Sequence, residues 1–63
     1  MDRAEWEKKF KERIIKRADL PPDDKVTAEM VQSELESWPE SGDDWKDYDP
    51  EEAADENLSY WTE

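Results

Sequence analysis

Carboxylates are the groups on this 63-residue chain with chemistry to offer. Twenty Asp and Glu stand against nine Lys and Arg, with neither His nor Cys. The lack of His removes the usual general base at neutral pH and the commonest transition-metal ligand. The lack of Cys removes a thiolate nucleophile, a disulfide framework and any Cys-based zinc or iron–sulfur site. Three uses of clustered carboxylates remain to be weighed: holding a metal, moving a proton, and meeting a basic partner.

A calcium loop is the best-defined metal site built from carboxylates. Asp47, Asp49 and Glu51 match its first three ligand positions. Its sixth position, which needs Gly, is Glu52, and its twelfth, which needs a bidentate Glu, is Leu58. No metal site and no cofactor are therefore expected. Paired carboxylates also act as acid and base, but only in a concave site with shaped walls, for which one thin core leaves little material. Ser33, Ser37, Ser41 and Ser59 have no His to activate them, and there is no Gly-rich phosphate loop. The expectation is a protein without catalytic residues.

The third use fits the spacing. From Glu36 to Glu63 eleven acids accompany a single Lys. Carboxylates three or four apart on a helix have Cβ atoms about 5–6 Å apart, and alternate residues of an extended loop stand roughly 6–7 Å apart. Both separations resemble the phosphate spacing of a nucleic-acid strand. The residues nominated for partner binding are Glu36, Glu40, Asp43, Asp44, Asp47, Asp49, Glu51, Glu52, Asp55 and Glu56, with Trp45 and Tyr48 as aromatic anchors inside the charged rim. Two plainer readings stand beside this one. A charge run also serves as a solvated face that keeps a protein in solution, and Trp45 and Tyr48 also suit satellite core packing under the loop.

The elements that position these groups read as helices. Trp6, Phe10, Ile14 and Ala18 recur every four residues, which predicts a helix over about 2–18 capped by Asp2 and ended by Leu20-Pro21-Pro22. Glu5 and Glu7 precede Lys9 and Lys11 in the favourable i,i+4 order. A second helix is expected over about 28–38, with Thr27 as N-cap, Val26 and Val31 as a hydrophobic staple, and Pro39 as the stop. The stretch from Pro39 to Asp49 is turn-rich and reads as an acidic loop. Asp49-Pro50-Glu51-Glu52 is a strong helix start, predicting a last helix over about 50–61. On that helix Glu51, Glu52, Asp55, Glu56 and Glu63 share one arc, and Ala53, Ala54, Leu58, Tyr60 and Trp61 the opposite one. No run looks like a strand. The fold class is all-α: one small domain of two or three helices, with no sheet, around Trp6, Phe10, Ile14, Val31, Leu35, Trp38, Leu58 and Trp61.

Only eight residues are Leu, Ile, Val or Phe, a count typical of disordered chains. Four Trp and two Tyr supply the missing apolar area, since each aromatic buries about 150–250 Å². The net charge of −11 divides unevenly: residues 1–20 sum to +2 and residues 21–63 to −13. Opposite charge should bring the basic first helix near the acidic remainder. Direct contact with nucleic acid or anionic lipid is disfavoured, and the natural partner is a basic protein. No apolar run is long enough for a membrane span or signal-peptide core, so the expected location is the cytoplasm. A monomer is expected, because two such faces repel.

The opening Met-Asp-Arg-Ala-Glu-Trp-Glu-Lys-Lys-Phe and the ending Asp-Pro-Glu-Glu-Ala-Ala-Asp-Glu-Asn-Leu-Ser-Tyr-Trp resemble small acidic proteins encoded by phages and prophages of proteobacteria. Within that group the chain looks most like anti-CRISPR proteins directed against type I-C systems. The likeness covers 23 of the 63 residues, and no functional residue transfers by motif. It implies a protein in the cytoplasm of a bacterial host that binds the large subunit of a type I CRISPR surveillance complex at its DNA- or PAM-reading surface and blocks target DNA. The alternative is an acidic phage adaptor that binds a restriction enzyme, RNA polymerase or a repressor through an apolar helix face.

Overall fold

Trp6, Phe10 and Ile14 form the buried stripe of the first helix, α1 (Arg3–Ala18), in a computed structural model that describes residues 1–61. Three more helices follow: α2 (Lys25–Leu35), the single turn α3 (Asp44–Asp47) and α4 (Pro50–Ser59), with no strand among the described residues. The domain is all-α, as its periodicity requires. Expectations for Thr62 and Glu63 lie outside the described residues.

α1 begins where Asp2 accepts a hydrogen bond from the Glu5 amide at 2.8 Å. It ends in Asp19, whose left-handed backbone (φ 54°, ψ 47°) lets its amide donate to the Ile15 carbonyl. Asp tolerates that conformation better than most residues. α4 opens as the sequence predicts, with the Asp49 carboxylate accepting from the Glu51 amide at 2.9 Å and Pro50 buried in the first turn. α4 packs chiefly on α1. Ala53 and Ala54 are fully buried at that contact, and side chains this small let the two helices lie close together.

α2 is displaced from its expected bounds by three residues at each end. Its N-cap is Asp24, whose Oδ1 accepts from the Val26 amide at 2.7 Å, because Asp caps better than Thr and lies one turn earlier. Thr27 is therefore a buried helical residue, and Val26, 61% exposed, forms no staple. At the far end the Glu36, Ser37 and Trp38 amides donate to carbonyls three residues back, so the α-helix tightens into turns before Pro39. The stretch expected to be a loop throughout contains α3. Leu58 packs against the core half-buried, whereas Trp61, expected inside it, is 37% exposed: α4 stops at Ser59, and the helical arc that pointed Trp61 inward ends with it.

The core is aromatic. Trp6 stacks on Phe10 at 5.3 Å between ring centres and meets Trp45 edge-on at 6.0 Å and Trp38 at 6.1 Å. Such pairs add about 0.5–1.5 kcal/mol each beyond the area they bury, which is how a chain so poor in aliphatics holds a fold.

Candidate functional site

Two indoles hold the acidic segment and a third ties α2 to α4. Trp6 Nε1–H on α1 donates to the Tyr48 carbonyl at 3.0 Å, Trp45 Nε1–H to the Glu40 carbonyl at 3.1 Å, and Trp38 Nε1–H to Asn57 Oδ1 at 3.2 Å. The first two hold residues 40 and 48, near the two ends of the acidic run, from inside the core. The third joins the end of α2 to α4, and Asn57 Nδ2–H completes the link by donating to the Glu34 carbonyl at 3.2 Å. Asn57 is buried, and nothing in its sequence position marks it as this bridge.

Arg3 completes the support. Its guanidinium lies 5.1 Å from the Trp6 ring centre and 5.2 Å from that of Trp45, and its Nε–H donates to Glu7 Oε2 at 2.8 Å. Its buried Nη1 has no hydrogen-bond acceptor, and the two ring faces take the place of one. Glu7 thus pairs back to Arg3 rather than forward to Lys11. The basic residue is drawn to the aromatic cluster, and Glu7 follows it.

The twelve nominated residues separate into three groups. Trp45 is buried and belongs to the core, so it offers no surface to a partner. Asp49 and Asp55 are bonded to the chain itself, and Glu51 is exposed with its charge acting on Arg13. Asp55 accepts two bonds from Arg13 on α1, from Nε at 2.9 Å and from Nη2 at 3.0 Å. Those bonds, with the nearby charges of Arg13 and Arg17, lower the Asp55 carboxyl below its ordinary value of 3.8 against a smaller opposing effect of desolvation. The same bonds raise Arg13, and Asp49 and Glu51 add to the effect. Asp49 is also the cap of α4. Reversing Asp55 would therefore break a link between α1 and α4 rather than probe a free surface.

Glu36, Glu40, Asp43, Asp44, Asp47, Glu52 and Glu56 are exposed. Among the described residues only Asp43 in this group has an ion pair, a solvent-exposed one with Lys46 at 3.4 Å. Tyr48 is 41% exposed and packs edge-on against Trp38 at 4.8 Å. The resulting surface has seven exposed carboxylates, six of them without an ion pair among the described residues, and one exposed aromatic, carried on the core-held segment and on α4. Among the described residues no group of three or more metal-ligating side chains converges, and no helix is long and apolar enough to cross a membrane.

No family model matches the chain, and neither the curated proteins nor the solved structures searched include a similar one.

Proposed function

We propose that the protein is a non-enzymatic, phage-encoded anti-CRISPR inhibitor, acting in the bacterial cytoplasm as a mimic of nucleic acid. It occupies a basic DNA- or PAM-reading surface on the surveillance complex and so excludes target DNA. The observation that carries this reading is the fixation of the acidic segment by Trp6 and Trp45. Carboxylates on a mobile tail would lose conformational freedom on binding, whereas Glu40, Asp43, Asp44 and Asp47 are already ordered by the core. Each carboxylate stands in for phosphate oxygens towards Arg or Lys, and the net charge of −11 accelerates encounter.

The test uses phage plating on a host with an active type I-C system and a matching spacer. Expression of the protein is expected to restore plaques. Reversing Glu40, Asp44, Asp47 and Glu52 to Lys is expected to abolish the effect while the far-UV spectrum stays helical. Matched reversal of Glu5 and Glu12 should change little. Equal loss from both sets contradicts localised mimicry, and absence of any protection by the wild type contradicts the CRISPR assignment.

A further inference from the structure

Apart from the acidic run, a second surface, a groove, lies between α2 and the end of α4. There Met30 and Trp61, each 37% exposed, line a hollow of about 580 Å³ with Glu29 and Glu34. Glu34 and Trp61 also line an adjoining hollow of about 340 Å³, which Tyr60, 66% exposed, and Glu56 share. Both are open surface depressions, the larger one the shallower, and so suit one side chain laid along them rather than an enclosed ligand. The Trp38–Asn57–Glu34 hydrogen bonds fix the floor of the smaller hollow. The groove's described carboxyl groups are Glu29, Glu34 and Glu56, and no Lys or Arg lines it. The nearest cation-bearing hollow lies beyond Trp61, where Arg17 is already engaged by the charge of Asp55.

We propose that this groove takes an arginine side chain from the basic partner, its guanidinium stacked on Trp61 or Tyr60 and its charge met by Glu34 and Glu56. The assignment rests on the partner being basic, as in the function proposed above, and adds the anchoring point. Aromatic faces beside paired carboxylates favour arginine over lysine, because the planar guanidinium stacks and donates to carboxylates together. The net charge of −11 on each copy disfavours a second copy of this chain as the occupant, and the basic face of α1 makes that copy an outcome of the test. The acidic run then steers the encounter and the groove sets the residence time.

Titration of the isotope-labelled protein with hexa-arginine, followed by NMR, tests the assignment. The Trp61 indole and Met30 methyl signals should move saturably, and hexa-lysine should bind more weakly at those signals. Trp61→Ala should weaken hexa-arginine binding at the Met30 signal about fivefold, the contribution of one exposed cation–π contact, with loop signals at Asp43–Asp47 responding as before. Glu34→Gln with Glu56→Gln should weaken it without removing an aromatic. Loop shifts without groove shifts, equal response to hexa-lysine, or no effect of either variant would overturn the groove while leaving mimicry intact. Groove shifts with a silent loop would support the groove and count against mimicry. Groove signals that move with protein concentration alone would make the occupant a second copy and overturn the proposal.

Discussion

Arg13 and Asp55 form the one two-point ion pair between α1 and α4 among the described residues, and its pH dependence follows from the depressed Asp55 carboxyl. Because the folded-state value lies below the unfolded one, the stabilisation is full above the ordinary carboxylate range and disappears as pH falls through the lowered value. Asp55→Asn should therefore lower Tm at pH 7, and the difference from wild type should shrink in thermal melts as pH falls from the ordinary carboxylate range through the lowered Asp55 value. A gap that stays constant throughout acidification would assign the loss to packing. Asn57 invites a second substitution. Asn57→Ala leaves the buried Trp38 indole N–H without its partner and should destabilise the fold by about 1–3 kcal/mol in urea titrations. Of the binding residues nominated from sequence, the exposed carboxylates were legible because acid runs rarely lie inside. Asp55 and Trp45 were not separable from them, since their roles depend on Arg13 and Trp6, partners some forty residues away.

At the scale of elements, capping explains what could and could not be read. Asp2 and Asp49 mark their helices because each stands alone before an uninterrupted pattern. The expected start of α2 is at a Thr27 cap, and the Asp24 cap moves the whole helix by three residues. Asp24→Ala should cost about 0.5–2 kcal/mol, with a loss of far-UV helical signal; no change in the denaturation midpoint would return the cap to Thr27. The left-handed Asp19 at the end of α1 predicts the opposite response. Asp19→Gly should raise stability by about 0.5–1 kcal/mol, since Gly takes that conformation without strain. The last helix ends two residues before its expected bound, which leaves Trp61 at the groove rather than in the core.

At the scale of the molecule, −11 charges sit on a body about 28 Å long. The Debye length is about 30 Å at 10 mM salt and about 8 Å at physiological ionic strength, so at low salt every carboxylate repels every other. Tm should rise as NaCl is increased from about 10 mM to 0.5 M, whereas affinity for a basic partner should fall over the same range. Opposite responses of folding and binding separate mimicry from docking through apolar surface alone, which salt would barely weaken. The most direct test of the central claim is the binding of labelled target DNA to a purified type I-C surveillance complex, measured with and without this protein. Saturating protein is expected to prevent DNA binding, and the Glu40, Asp44, Asp47 and Glu52 reversal to restore it. Undiminished DNA binding in the presence of saturating wild-type protein would contradict it.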